Sequence, residues 1–545
     1  MLETPGGGAV LAAQAFTYGP AILYVQTNAG STNGGTPFQI FGYGFDFDPS
    51  QIHVTVGGQP ALITSVSSDP GLSPFMLPIH RLTATAPSGN AGPADISVST
   101  PTGSTTLRNG YFYYSMSRFA GPTSVGQMVF DRGRQVLYAT NLSLNQVDIL
   151  SPQSGQVTGH LPCGITPQGL ALALTTDGST LLVANWGSQS VSVINIVTGS
   201  AVQIPIDLNG SGPGSLHPLS VAASNNGKAF IGVVSTSVLD GGIVFQLDLA
   251  SGALTIPDLG FQTTSDIEIH SFAGGAKVWI GSGNSGGSSG SAAVVWDAAT
   301  NSYNPFRIGG FVESDITDDG LIIDASGTFY TPEGQISSFI APLDLTRYPF
   351  FAFGEKLHPG GGLLFKPYQL NSSLGSIATY DVHTGSLLRQ IGIPGLISVT
   401  LDALAIDNTG SNLFVATDSG IVIVNLNPLP VTIGTVNPSQ GGLSGGTLVT
   451  VRGSNFQQGA TATLTATTVA TTWIDQNTLQ FVTHLGPRDR RRFQSKTLMD
   501  RVTPCPLSLL MCRQSPTLLL FNPPTHWLDK LCCSTSLARV FHRDP

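Results

Sequence analysis

The sequence predicts an all-β protein, a β-propeller of about seven blades with β-sandwich modules on both sides. Three observations carry this reading. Only 55 of 545 residues are charged, against about 25% in an average soluble domain. Glycine is abundant, with 65 residues. Apolar and polar residues alternate in short runs punctuated by Gly, Pro and Ser, and two different internal repeats occupy different parts of the chain.

The first repeat brackets a module. Ile22–Phe45 and Ile433–Phe456 share the pattern I-x2-V-x8-G-G-T-x5-G-x2-F. Its members are Ile22, Val25, Gly34, Gly35, Thr36, Gly42 and Phe45, then Ile433, Val436, Gly445, Gly446, Thr447, Gly453 and Phe456. A second motif pairs Thr4–Tyr18 with Thr100–Tyr114 without gaps, sharing Thr, Pro, Gly, Leu, Phe and Tyr. The start and end motifs enclose residues 20–116. Inside, His53–Val56, Arg81–Thr85 and Asp95–Ser99 alternate as half-buried strands do. The Gly-Gly-Thr turn suits a tight strand entry, because glycine accepts positive φ at little steric cost.

These motifs, G-G-T with G-x-x-F at the start and a Pro-Gly turn with F-x-Y at the end, resemble the IPT/TIG immunoglobulin-like family. The resemblance covers residues 20–116 as a whole module and 431–485 as an N-terminal half. Residues 1–19 read as the terminal hairpin of a truncated preceding copy. It implies an immunoglobulin-like β-sandwich for each.

Residues 117–430 repeat differently. Gly133–Ala139, Gly178–Ala184 and Gly410–Ala416 each place a turn glycine six residues before an alanine. A second pattern puts Asp or Asn after an apolar run, then two residues, Ser or Thr, and Gly or Asn. It occurs at Asn195–Gly199, Asp248–Gly252, Asp297–Asn301 and Asp381–Gly385, with a variant at Ser151–Gly155. An Asp or Asn side chain can bond the backbone two residues on, and the last residue supplies the left-handed position. Units of about 40–50 residues with three or four strands are propeller blades. About seven are expected, with borders at 122–164, 165–218, 219–260, 261–310, 311–345, 346–395 and 396–430. Leu181–Asn185 followed by Ser190–Asn195 resembles the YVTN-type propeller repeat of bacterial surface proteins.

The two ends depart from this pattern. No basic, signal-like segment opens the chain, so the N-terminus is expected to lie inside a larger protein whose signal was lost by truncation. Residues 1–485 hold 13 Lys+Arg and 28 Asp+Glu, whereas residues 486–545 hold 10 and 4. That last segment also contains four of the five cysteines (Cys505, Cys512, Cys532 and Cys533) and a single glycine. It is expected to be a non-homologous tail, frameshifted or disordered, and not to pack as half an immunoglobulin-like module.

Candidate sites are few. Gly281-x-Gly283-x-x-Gly286 matches a dinucleotide fingerprint, but a strand and not a helix is expected next. Ser285 and Ser288 sit in G-x-S-x-G but lack a strand–turn–helix setting. No catalytic residue, cofactor or cofactor-binding residue is therefore expected. The densest acidic cluster, Glu313, Asp315, Asp318 and Asp319, is the candidate for calcium, which takes several oxygen ligands. Asp46 and Asp48 are weighed in the same way. Asp318-Asp-Gly320 equally fits a hairpin turn. Trp186, Trp279, Tyr348, Phe350 and Phe351 are the candidate ligand-binding aromatics, although aromatic rings also fill propeller cores.

The acidic body speaks against nucleic acid as a partner, and no apolar stretch is long enough for a transmembrane helix. The function expected is a non-enzymatic, secreted or cell-surface scaffold. Its propeller rim would bind a protein or carbohydrate, and its immunoglobulin-like modules would act as spacers. One alternative is a propeller enzyme, lactonase- or lyase-like, acting at the central channel. The other is a calcium-dependent adhesin.

Overall fold

The computed structural model describes residues 19–484 with breaks, the longest being 70–78, 208–215, 283–291, 308–313 and 340–354, together with Leu2–Glu3, Ala9–Val10 and Phe493–Lys496. Leu2–Glu3 and Ala9–Val10 pair as an antiparallel hairpin.

Residues 20–114 form a two-sheet sandwich. One sheet contains Ala21–Gln26, Pro37–Tyr43, Ile79–Thr85 and Leu62–Asp69. The other contains Gly103–Tyr114, Gly92–Thr100, His53–Val56 and Gln59–Pro60. Phe38, Ile40, Leu82 and Ala84 from the first meet Val54, Val56, Ile96 and Val98 from the second. The strands alternate because each has one face on this core and one on solvent.

The Gly-Gly-Thr turn has the same geometry in both modules. Gly34 and Gly35 sit at φ 76° and 80°, and Gly445 and Gly446 at 73° and 80°. Gly35 N–H donates to Ala86 O at 2.9 Å, and Gly446 N–H to Thr483 O at 2.8 Å. A Cβ on Gly34 would lie 2.6 Å from the Pro87 and Ser88 backbone, whereas one on Gly35 would meet nothing. Gly34→Ala therefore combines an unfavourable φ with a backbone clash and should cost about 2–3 kcal/mol. Gly35→Ala carries the φ penalty alone, about 1 kcal/mol. Urea midpoints of the two variants test this; equal losses would contradict it.

The second module repeats the plan. Thr432–Asn437, Leu448–Ser454, Thr478–Val482 and Thr471–Asp475 form one sheet over a core of Val449, Val451, Phe456, Leu479 and Phe481. Its other sheet includes Phe493–Lys496, which pairs with Thr461–Leu464 as Gly92–Thr100 pairs with His53–Val56. That strand lies beyond residue 485, so the strand pairing continues past the point where the alternating pattern stops. Residues 497–545, with all four tail cysteines, lie outside the described residues.

Between the modules, the described residues form seven sets of four antiparallel strands that follow one another. Six are continuous, from Val125–Asp131 in the first blade to Leu387–Pro394 in the sixth. The third begins at Leu216, inside the segment expected to end the second. The seventh has three strands of its own, Leu404–Ile406, Asn412–Thr417 and Gly420–Asn425. Its outer strand is Met116–Arg118, from before the propeller, so strands from the two ends of the ring complete one blade.

The turns explain the repeat. In all five Asp/Asn/Ser turns the last residue is left-handed: Gly155 at 66°, Gly199 at 71°, Gly252 at 73°, Asn301 at 52° and Gly385 at 66°. Each bonds back to the carbonyl four residues earlier, at 2.8–2.9 Å. Asn195 Oδ1 accepts from Val197 and Thr198, and Asp297 Oδ1 from Ala299. Gly178 and Gly410 are also left-handed, but in the first blade that position belongs to Gln135, at φ 56°, and not to Gly133. There the turn is longer, closed by Gln135 N–H to Asp131 O at 2.8 Å.

The first sandwich is built into the propeller. Ala29–Ser31 pairs parallel with Gly103–Tyr114 on one side and, through Ile391↔Ala29, with the sixth blade on the other. Tyr111 and Tyr113 point into the sandwich core, while Phe112 and Tyr114 join Ala29, Phe119, Phe365, Ile391 and Phe414 in the propeller core. The Arg389 guanidinium lies 3.7 Å over the Phe112 ring and donates to Tyr114 Oη at 2.6 Å. Gln390 accepts from Thr27 N–H and donates its own N–H to Asn28 Oδ1.

Where the sixth blade meets the seventh, His358 is buried against the Gly410 turn. Burial holds its imidazole below the ordinary value of 6.5, outweighing the Gly410 carbonyl and Asp407, which favour the charged form. A base with a depressed folded pKa gives stability that is present above the unfolded value and lost as pH falls below it. The melting temperature should therefore drop between pH 7.5 and 5.5, and drop less in His358→Gln. Equal drops in both proteins would overturn the assignment.

Candidate binding face of the propeller

The inner strand of each blade starts at the propeller face where the second strand ends. Val125 opposes Asn141 there in the first blade, and Pro167 opposes Asn185 in the second. The turns that follow, Asn141–Gln146 and Asn185–Ser190, share one conformation, with Asn145 at φ 52° and Gln189 at 49°.

The buried polar side chains of this face hold the fold together. Asn185 Oδ1 accepts from Gly164 N–H at 2.9 Å, and its Nδ2 donates to Ser192 Oγ at 2.9 Å. In the first blade Asn141 Nδ2 donates to Asp148 Oδ2 at 2.8 Å, and Gln146 Nε2 donates to the other oxygen at 2.6 Å. The inner strands are stapled to one another: Gln127 Oε1 accepts from Leu172 N–H across blades one and two. Ser220 Oγ donates to Ile267 O across blades three and four, at 3.1 Å. Such groups satisfy buried backbone and one another.

One inner-strand acid and base lie together. Glu268 Oε2 and His270 Nε2 are 3.8 Å apart, on the face of Ile267–Phe272 opposite Ile267 and Ile269. Sequence reading missed the pair, although their i, i+2 spacing on a strand puts both on one face. Burial pushes the Cys163 thiol up to about 12, which disfavours its thiolate.

The same face exposes apolar side chains. Leu144 in the first blade is 64% exposed, and Ile165, which enters the second, is 59% exposed. Ile165 O accepts from Gly187 N–H, and Ile165 N–H donates to Ser188 Oγ, so Ile165 sits beside the Trp186 turn. The half-buried Trp186 indole stacks on His217, with ring centroids 4.4 Å apart and planes 21° apart. His217 Nδ1 lies 2.9 Å from the Trp186 carbonyl oxygen, which fixes the imidazole beneath the indole.

The other sequence candidates are placed as follows. Trp279 is 0% exposed, paired across strands with His270 and packed among Phe272 and Ala293. It is a core residue in this arrangement and not a surface aromatic. Tyr348, Phe350 and Phe351 lie outside the described residues, as do Glu313, Asp318 and Asp319. Of Asp315 only its strand, Ser314–Ile316, is described. Asp48 caps the turn Pro49–Gln51, its carboxylate held low by Ser50, and Asp46 accepts from Asp48 N–H. Gly281 lies in the strand Lys277–Ser282, which pairs antiparallel with Ala292–Asp297, so a strand follows the glycine motif. Among the described residues no group of three or more His, Cys, Asp or Glu side chains is placed to hold a metal. No described helix is long and apolar enough to cross a membrane.

Comparison with known proteins agrees with the two modules. The IPT/TIG domain model matches residues 20–114 and 430–496. No curated protein matches the chain. Among solved structures, hydrazine synthase from Kuenenia stuttgartiensis is similar at 15% identity over 56% of this chain and 97% of its own, with TM-score 0.43. The β-propeller domain of Myceliophteria thermophila Cps50 (Swd1) is similar at 12% identity over 57% and 98%, with TM-score 0.44. An auxiliary nutrient binding protein from Bacteroides thetaiotaomicron is similar at 12% identity over 75% and 97%, with TM-score 0.37.

Proposed function

We propose that this chain is a non-enzymatic, extracytoplasmic binding scaffold of the YVTN-propeller kind. It takes a protein or glycan at the cell surface through the propeller face around Trp186. The first sandwich is a fixed part of that scaffold, and the second acts as a spacer. The low charge and the glycine-rich body suit an extracellular all-β protein. One observation carries the binding role: among the described residues, the buried polar groups of this face bond backbone and one another, while Leu144 and Ile165 stand exposed and the Trp186 indole is half-buried beside Ile165. Such a surface offers contact area.

Pull-down and glycan-array screening of the full chain, beside Trp186→Ala, tests this. A specific ligand whose retention falls in the variant is expected; ligands held equally by both would contradict the assignment. The Glu268–His270 pair is what favours a propeller enzyme instead. Hydrolysis of lactone or ester substrates that disappears in Glu268→Gln would establish that alternative.

A further inference from the structure

Resting on the binding role proposed above, we infer that Trp186 is a platform for neutral carbohydrate. The geometry supplies the platform. One indole face is covered by the stacked His217 ring, which holds the side chain in place at the end of a strand–turn unit. A ring fixed in advance loses little conformational freedom on binding. Its π-face is electron-rich, and the C–H face of a pyranose presents weakly positive hydrogens of matching size.

The surroundings select among ligands. From Gly178 to Ile206 the chain contains no Lys, Arg, Asp, Glu or His. What flanks the indole is uncharged: the half-buried Ser188 bonds the buried Ser190 at 3.0 Å, Ser190 bonds the exposed amide of Gln203, and Ile165 stands exposed beside them. Hydroxyls and amides both donate and accept, as sugar hydroxyls do. A nucleobase would also stack on an indole, but its phosphates need cations, and the segment from Gly178 to Ile206 offers no lysine or arginine. An acidic sugar would find no lysine or arginine in that segment either. The fit is to a neutral pyranose chain.

Affinity electrophoresis of the full chain tests this, with soluble neutral polysaccharides (a β-glucan, a galactomannan and a xylan) run beside alginate and polygalacturonate. At least one neutral polymer should retard the wild type. Trp186→Ala should weaken that retardation about tenfold or more, and Trp186→Phe should keep part of it. Matching circular dichroism and melting curves show that the variants fold. If Trp186→Ala does not fold, His217→Ala, which frees the indole, should weaken retardation. Retardation by the acidic polymers alone, or retardation unchanged in Trp186→Ala, overturns the inference. No retardation by any polymer, with a purified protein ligand still lost in Trp186→Ala, overturns the carbohydrate assignment and leaves the binding face standing. If neither glycan nor protein depends on Trp186, both readings fail.

Discussion

Deleting residues 1–115 should leave the propeller insoluble or strongly destabilised, although the deletion removes none of its seven blades. The deletion strips Ala29–Ser31 from the outer strand of the sixth blade. That exposes a sheet edge, together with the apolar core residues that Phe112 and Tyr114 cover, and an uncovered apolar edge is a template for aggregation. A single substitution makes the same point without truncation. Phe112→Ala empties a site shared by both domains and removes the ring under Arg389; its cost should be about 3–5 kcal/mol. Calorimetry separates the two architectures. A sandwich fused to the propeller shifts the main transition when Phe112 is lost. A sandwich acting as a tethered spacer would give its own transition, shift that one alone, and leave the truncated propeller soluble.

This fusion was partly legible in the sequence. Tyr111–Tyr114 is four aromatics in a row, and a strand with one solvent face alternates. The unbroken run was therefore a sign of burial on both sides. Reading it only as an end motif identified the family and missed the docking. The turns were legible because their chemistry is local: Asn195, Asp248 and Asp297 each bond the backbone within three residues. Gly133 shows the limit of that rule, since a longer turn moved the left-handed position to Gln135.

The outer strand of the seventh blade was not legible. Met116-Ser-Arg118 carries no pattern of its own, and its place is set by Val422–Val424, some 300 residues away. The two tryptophans differ for the same reason. Trp279 sits in mid-strand, where register and a neighbouring blade decide whether it is covered. Trp186 sits in a turn, and turns lie at the surface. Aromatic content alone could not separate them.

The second large effect concerns the sixth blade. Lys366 Nζ and Glu355 Oε1 are 2.6 Å apart, with side chains 5% and 9% exposed. Close by, Tyr368 Oη and Tyr380 Oη are 3.3 Å apart. Lys366→Met keeps most of the side-chain volume but leaves the Glu355 carboxylate without its cation. Breaking a buried ion pair from one side costs about 3–5 kcal/mol, because the remaining charge stays desolvated. Glu355→Gln with Lys366→Met removes that charge and should recover most of the loss, since a neutral amide is far cheaper to bury. The quantity to measure is the coupling energy from a double-mutant cycle on urea midpoints, expected at 2 kcal/mol or more. Additive losses would mean that the two groups act independently and that the ion pair contributes nothing of its own. A double variant as unstable as Lys366→Met would place the cost in lost packing along the lysine chain and not in the stranded carboxylate.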